Sequence, residues 1–244
     1  MKILLAPSET KVGGGRDVFI LNKLLFSNLT QTRTELLHRY INIIQKNDKK
    51  VLSKMFGLKK EKDIEYHTKD IVHELTMKAI ERYTGVAFDY LGYNQLNREA
   101  QQYIDNNAIL CSNLFGFLRA DDMIPEYRLK QGESIGDLKP EKLYKKQSYL
   151  MEDYLQSEDI LDLRATFYDK FYKPTKAYTT LKFIKNGKVV SHWAKAYRGI
   201  VLREIAKAKI ETLEEFMNLP IEKLSIDEIH KKKNRTEIIY IIES

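Results

Sequence analysis

Three short apolar runs, bounded by polar or turn-forming residues, restrict the fold of this chain more than any other feature. Residues 2–6 end at Pro7, while residues 108–111 and 159–163 each lead into a polar loop. Runs of this length are typical of buried strands. In α/β sheets, binding and catalytic residues often lie in the loops that follow such strands. The runs therefore predict a mixed α/β (α+β) fold with a central mixed sheet, and Asp162 is one candidate site residue at a strand end.

Helical periodicity lies between these runs and near the end of the chain. Apolar residues recur at helical spacing over residues 34–45, and Asn47 and Asp48 separate that pattern from a second short helix. Similar spacing predicts helices over residues 71–83, 96–106 and 197–208. We therefore expect a single domain over residues 1–244 with a helical N-terminal insertion at about residues 33–82.

A β-hairpin is predicted late in the chain. Asn186-Gly187 joins residues 179–185 to residues 188–193, and this dipeptide favours the type I′ turn of a two-residue hairpin connection. A β-branched run over residues 237–242, which follows the basic stretch 231–235, predicts a closing strand. We expect the hairpin and the helix after it to form a basic C-terminal unit.

Positive charge is concentrated in what we call the cationic segment, residues 170–203, which has no acidic residue over 34 positions. The wider region 139–209 holds 16 Lys+Arg against 8 Asp+Glu and so accounts for the whole net charge of +7. Such a cluster gains free energy when an anionic partner binds and its counterions are released. Single lysines of this kind are also common as solvated surface residues.

Composition and cysteine content favour a cytoplasmic globular protein. The chain is 43% hydrophobic and 31% charged, and no apolar run approaches the roughly 20 residues that cross a bilayer. The N-terminal apolar run is too short for a signal peptide. Cys111, the only cysteine, lies in an apolar run, and we expect a buried structural thiol rather than a nucleophile.

Patterns for metal or cofactor chemistry are weak. The five histidines are scattered and there is no cysteine cluster, so we predict neither a metal site nor a cofactor. The loop of residues 11–15 is glycine-rich but lacks the P-loop pattern, which favours an ordinary turn. Residues 56–60 have the hydrophobic-Gly-hydrophobic centre of a helix-hairpin-helix turn, in which Gly57, Lys59 and Lys60 would contact a DNA phosphate. An ordinary C-capping glycine is the alternative.

Several motifs together resemble the peroxide stress protein YaaA family. In chain order they are Leu4-Leu-Ala-Pro-Ser-Glu-Thr-Lys11, Tyr83-Thr-Gly85, Leu114-Phe-Gly-Phe-Leu-Arg-Ala-Asp-Asp-Met-Ile-Pro-Glu-Tyr-Arg128, Asn186-Gly-Lys and Trp193-Ala-Lys-Ala-Tyr-Arg-Gly199. The chain departs from the family at Ser-Glu-Thr, where an Ala-Lys-Thr or Ser-Lys-Thr form is expected, and at Leu161-Asp-Leu-Arg164, which replaces an Asn-Leu-Ala-Ser form.

The resemblance implies a bacterial cytoplasmic protein of mixed α/β fold. It also implies a role in defence against hydrogen peroxide and oxidative stress, and a DNA-binding member that carries a helix-hairpin-helix element. The family's motif positions are occupied here by Lys11, Tyr127, Arg128, Lys195 and Arg198, which by hypothesis line one cleft. No established reaction comes with the resemblance, so whether the chain is an enzyme stays open.

The preferred hypothesis is a DNA-binding stress protein with a basic groove. Lys182, Lys195, Arg198 and Arg203 would hold phosphates of duplex or branched DNA, with shape mattering more than sequence. Trp193 or a tyrosine would stack on an unpaired base.

The alternative hypothesis is an enzyme that acts on a nucleotide, a nucleobase or a similar small anion in a cationic pocket. Lys11, Arg128 and Arg198 would clamp the anion, and Tyr127 or Asp162 would serve as acid or base. A basic surface that meets an acidic protein is a third possibility.

Overall fold

A mixed eight-stranded sheet forms the centre of the molecule. The structure is a computed structural model and describes residues 1–190 and 192–243. Its strands are β1 (Lys2–Leu5), β2 (Met77–Lys78), β3 (Ala108–Ser112), β4 (Gly116–Arg119), β5 (Met123–Ile124), β6 (Ile160–Asp162), β7 (Tyr178–Lys185), β8 (Lys188–Val189), β9 (Leu224–Lys232) and β10 (Arg235–Ile242). The order in the main sheet is β4-β3-β1-β6-β7-β10-β9, with β8 paired to the end of β7 and with β2 and β5 in a separate pair.

Helices cover this sheet. They are α1 (Thr30–Lys46), α2 (Lys49–Phe56), α3 (Glu61–Tyr66), α4 (Ala79–Arg82), α5 (Val86–Leu91), α6 (Arg98–Asn107), α7 (Pro140–Lys146), α8 (Tyr149–Leu155), α9 (His192–Ala208) and α10 (Leu213–Met217). Helices α5 and α9 are in close contact at Gly199, where an added Cβ would lie 2.0 Å from the carbonyl oxygen of Ala87. None of the helices within the described residues is long and apolar enough to cross a membrane.

The three predicted buried strands are confirmed, and they lie side by side. β1 runs parallel to β3 on one side and to β6 on the other, with Leu5 opposite Leu110 and Leu4 opposite Asp162. Nearly every residue of the three strands is buried, as continuous apolar runs require. Because parallel strands end at the same edge, the loops that follow β1, β3 and β6 meet there.

The predicted hairpin is confirmed at its turn but is shorter than expected. Asn186 and Gly187 both have positive φ, as a type I′ turn requires, but β8 ends at Val189. Trp193 belongs to α9 instead of the strand, and Ser191 lies outside the described residues. The helix prevails because Tyr197 packs in a stacked arrangement on Phe183 of β7.

The prediction of a helix over residues 71–83 is wrong for most of that range. Residues 77–78 form β2, which pairs with β5, and α4 covers only residues 79–82. The backbone N–H groups of Ala79 and Ile80 donate to the carbonyls of Asp122 and Ala120, so tertiary partners replace those of a longer helix. Between Tyr66 and Ala79 the insertion therefore contains no helix among the described residues.

Candidate functional site

Three buried hydroxyl groups form a hydrogen-bonded chain at the carboxyl end of β3. The Oγ atom of Ser112 lies 2.7 Å from the hydroxyl of Tyr127, which lies 2.8 Å from that of Tyr83. Ser112 Oγ already accepts the backbone N–H groups of Leu114 and Phe115, so its own proton is directed to Tyr127. Tyr127 and Tyr83 share the second hydrogen bond, in which either hydroxyl can donate, and Tyr83 also interacts with Ser112.

Burial keeps both tyrosines of this chain protonated at neutral pH. It raises the pKa of Tyr83 to about 12 and raises the pKa of Tyr127 well above its ordinary value. A neutral phenol can donate a hydrogen bond, whereas a phenolate cannot. The three hydrogen-bonded hydroxyls are therefore oriented donors and not a source of negative charge.

Lys11 lies beside these tyrosines in the loop that follows β1. Its Nζ atom is 3.9 Å from the ring centre of Tyr127 and 5.0 Å from that of Tyr83, and it donates to the carbonyls of Ser8 (3.1 Å) and Glu9 (3.4 Å). Burial first, and then the positive charge of the nearby Arg128, lower the pKa of the Lys11 amine to about 7. A strongly shifted pKa in a polar cluster at a strand edge marks a candidate functional site.

The loop around Lys11 is held by a buried arginine. The Arg82 guanidinium donates to the carbonyls of Val12 (2.6 Å), Gly14 (2.9 Å), Leu75 (2.9 Å) and Ile124 (3.2 Å). The glycine-rich loop thus presents carbonyl oxygens to a cation, whereas a phosphate-binding loop presents its N–H groups to an anion. The loop serves to position Lys11.

Arg128 binds the side-chain carboxylate of Glu9. Its Nη2 atom lies 3.3 Å from Glu9 Oε2, its Nη1 donates to the Glu9 carbonyl, and its Nε donates to the carbonyl of Phe56. The other Glu9 oxygen accepts the backbone N–H of Gln131 at 3.0 Å. The Glu9 carboxylate is more exposed than Arg128, so a ligand anion can reach the place that it occupies.

Asp162 has a different role from these residues, because it forms an ion pair with Arg164. Its carboxylate accepts Nε (2.8 Å), Nη2 (2.7 Å) and the backbone N–H of Arg164. Arg164 also donates to Cys111 Sγ at 3.3 Å and to the carbonyl of Tyr172. A carboxylate held bidentately by a buried guanidinium is a structural ion pair, so Asp162 is poorly suited to be the proposed acid or base.

Cys111 is the buried thiol that the sequence predicts. It is 1% exposed, and burial raises the pKa of its thiol although Arg164 opposes the shift. A protonated, inaccessible thiol is a poor nucleophile. Within residues 1–190 and 192–243, no three His, Cys, Asp or Glu side chains are grouped so that they could hold a metal ion.

The basic residues predicted to bind DNA late in the chain are spread over more than one face of the molecule. Lys182 alternates along β7 with Phe183, which faces α9, so Lys182 lies on the opposite face of the sheet. On α9, Arg198 and Arg203 are about 140° apart at 3.6 residues per turn, and Lys195 is exposed. Arg203 pairs with Glu204 at 2.9 Å.

Arg198 is directed partly inward. Burial lowers the pKa of its guanidinium, and the Asp162 carboxylate opposes this shift. The Arg198 Nε atom is buried and has no hydrogen-bond partner among the residues that the structure describes. Arg198 is thus largely buried and interacts electrostatically with Asp162. Its binding to phosphate stays a prediction.

The C-capping alternative for Gly57 is confirmed. Gly57 has a φ of 66° and follows α2, and its N–H bonds to the carbonyls of Lys54 and Ser53. Lys59 and Lys60 are exposed in the turn before α3. A contact of this turn with DNA stays a prediction.

Three of the four predicted anion-site residues, Lys11, Tyr127 and Arg128, are therefore brought together. Sequence reasoning missed Ser112 and the pairing of Glu9 with Arg128. Signals for both were present, because Ser112 follows a buried strand and Glu9 replaces a lysine of the family motif. Tyr83 was part of a quoted motif without an assigned role.

Comparison with known proteins shows the family. A family model described as peroxide stress protein YaaA matches residues 1–230. An uncharacterized protein of Campylobacter jejuni is 43% identical over 242 residues, which cover 98% of each chain. A UPF0246 protein of Corynebacterium efficiens is 32% identical over 86% of this chain and 87% of its own. The family model spans Lys11, Tyr83, Ser112 and Arg128, and the chain belongs to the peroxide stress protein YaaA family.

Proposed function

We propose that this protein acts in the peroxide stress response through a small-anion site formed by Lys11 and Arg128. The family's name points to that response. The observation that carries the proposal is the Lys11 amine. It has a pKa of about 7 and lies beside the Arg128 guanidinium and the three hydrogen-bonded hydroxyls. The ligand class that fits is a nucleotide, a nucleobase derivative or a similar small anion.

Binding of an anion would use groups that are already oriented. An anion that displaces the Glu9 carboxylate meets Nη2 of Arg128 and the N–H of Gln131, both of which now bind a carboxylate. Its negative charge would favour the protonated form of Lys11 and raise the pKa of that amine. Binding near pH 8 would therefore take up a proton.

The same groups can transfer protons to and from a bound molecule. An amine with a pKa near 7 accepts or donates a proton at neutral pH, which is the condition for efficient general acid–base catalysis. Tyr83 lies within 5.0 Å of Lys11 Nζ, measured to the ring centre, and ends the hydroxyl chain. We assign Lys11 as the general base or as the cation that binds the anion. We assign Tyr83 as a hydrogen-bond donor.

Isothermal titration calorimetry tests this site, with adenosine 5′-monophosphate, inorganic phosphate and adenine as probes. At pH 8, in two buffers of different ionisation enthalpy, we expect an anionic probe to bind with uptake of a fraction of a proton. Lys11→Met should remove the uptake, and Glu9→Gln should tighten binding several-fold because the competing charge is lost. The exposed Lys59→Met is the matched control and should change neither quantity. Absence of binding, or proton uptake that persists in Lys11→Met, would refute the assignment.

Exposed lysines favour a second function, which is binding to duplex or branched DNA. Lys59, Lys60 and Lys195 are exposed, and phosphate contacts from such residues give affinity without sequence preference. Trp193 is 40% exposed and, with Lys185, lines a cavity of about 580 Å³ that would admit an unpaired base.

Salt dependence tests DNA binding. We expect the affinity for duplex and forked DNA to fall steeply with salt, and the double variant Lys59→Ala, Lys60→Ala to reduce the log–log slope by about 2. The control is Lys145→Ala, Lys146→Ala, an adjacent exposed pair at the end of α7. Equal slopes for the two double variants would contradict a DNA contact at residues 59–60.

A further inference from the structure

The two edges of the main sheet differ in length and exposure. β4, at one edge, has four residues, of which three are buried. β9, at the other edge, has nine residues, and Ser225–Lys232 are all exposed. Within the described residues β9 pairs only with β10, so every second residue directs an N–H and a C=O group outward. Long exposed edges are either protected or paired in native proteins, which makes β9 a candidate for pairing with another strand.

We propose that β9 pairs antiparallel with β9 of a second copy of this chain, about a two-fold axis normal to the sheet at Ile229. Such an axis places residues opposite each other when they are equally distant from Ile229. It joins the two sheets into one. Because the other edge, β4, is buried, the assembly closes at two subunits.

The charge pattern of β9 supports this register. With the axis at Ile229, Glu228 lies opposite the partner's His230, and Asp227 lies opposite the partner's Lys231. An axis at Glu228 would place two carboxylates opposite each other. An axis at His230 would place Glu228 and Asp227 opposite the partner's Lys232 and Lys233, but it would also place Ile229 opposite the partner's Lys231. Of these three registers, the axis at Ile229 is the one that gives both carboxylates a nitrogen-bearing partner and Ile229 an apolar partner.

Two isoleucines of β9 are exposed, and one of them lies at the proposed axis. Ile229 is 44% exposed and Ile226 is 39% exposed. Ile229 is opposite Ile238 and Ile226 is opposite Tyr240, and the register shift between these pairs leaves both isoleucines on the same face. In the proposed dimer, Ile229 meets the partner's Ile229 at the axis.

Features that prevent edge aggregation are also present in β9. Lys231 and Lys232 carry charge, and the register shift near Asp227 bends the strand. These features penalise pairing with strands that place no acidic residue opposite Lys231; Lys232, at the end of β9, lies opposite the partner's Ile226 in the proposed register. In the proposed register Lys231 has an acidic partner, so the same features select a second copy of this chain.

Sedimentation equilibrium tests the dimer over about 1 to 200 µM protein. We expect the wild-type mass to rise with concentration from 28.7 kDa toward twice that value. Ile229→Lys places two ammonium groups at the axis and should weaken dimerisation at least about 30-fold. Ile241→Lys is the control, because Ile241 is 38% exposed but lies on β10, an inner strand. A wild type that stays monomeric, or an Ile229→Lys variant that dimerises like it, would overturn the proposal.

A charge exchange tests the register. Asp227→Lys and Lys231→Asp should each weaken the dimer, and the two changes together should restore it, since each charge again meets its opposite. Ile229→Cys should form a disulfide between subunits under mild oxidation with copper phenanthroline, whereas Ser225→Cys should not. The native Cys111 is buried and does not compete. A double variant as weak as the single ones would show that the strands do not pair in this register.

Discussion

The lowered pKa of Lys11 predicts a particular dependence of stability on pH. The amine titrates near 10.5 in an unfolded chain and at about 7 in the folded protein. Between these values the unfolded chain binds more protons, so the free energy of unfolding rises with pH. Below about pH 7 the amine is charged in both states, and the folded state carries the full cost of burying that charge.

The gain in the free energy of unfolding follows from the width of the pH interval between the folded and unfolded pKa values of Lys11. Each pH unit between about 7 and 10.5 contributes up to about 1.4 kcal/mol, so the interval from pH 7.5 to 9.5 has a ceiling of about 3 kcal/mol. Lys11 keeps some contact with solvent, and screening reduces the expected gain to about 1–2 kcal/mol. Lys11→Met lacks the titrating group and should not show this gain.

Urea unfolding of the wild type and Lys11→Met at several pH values measures the effect. Other groups titrate in both proteins, so the difference between the two free energies of unfolding isolates Lys11. We expect the wild type to become more stable relative to Lys11→Met as pH rises. The difference in free energy of unfolding between the wild type and the exposed variant Lys59→Met should not change with pH. The reasoning is refuted if the difference for Lys11→Met is also flat, or if the NMR titration of the Lys11 ε-CH₂ group gives a midpoint near 10.

Further predictions concern packing and buried polar groups. Gly199→Ala forces a Cβ to 2.0 Å from the Ala87 carbonyl, so we expect a loss of several °C or more in Tm by calorimetry. Arg82→Met leaves four carbonyls without their buried donor and should lower the free energy of unfolding by about 3–5 kcal/mol in urea titrations. Tyr127→Phe breaks the link to Tyr83 and should cost about 1–2 kcal/mol, with Tyr83→Phe adding less in the double variant than alone.

Several elements could be predicted from sequence because their signals are local. The apolar runs at residues 2–6, 108–111 and 159–163 became adjacent parallel strands, and Asn186-Gly187 became a type I′ turn. In each case the residues that determine the conformation lie within the element itself. Burial of Cys111 followed from the same strand signal.

Elements that depend on distant partners were predicted poorly. Residues 71–83 have helical spacing, yet backbone groups of Ala79 and Ile80 bind carbonyls in residues 120–122. β9 was missed because its exposed charges hide the strand pattern, and only pairing with β10 defines it. The basic residues around α9 looked continuous in sequence, but helical rotation and the alternation of β7 separate them.

The candidate site shows the same division. Motif positions identified Lys11, Tyr127 and Arg128, whereas the ion pairs of Glu9 with Arg128 and of Asp162 with Arg164 were missed. By itself, the sequence determined which segments seek burial and where strands end, because periodicity and turn chemistry act over a few residues. Only the tertiary structure decided which charges share a buried volume, and that proximity lowers the Lys11 pKa, since solvation and Coulomb energies depend on distance in space.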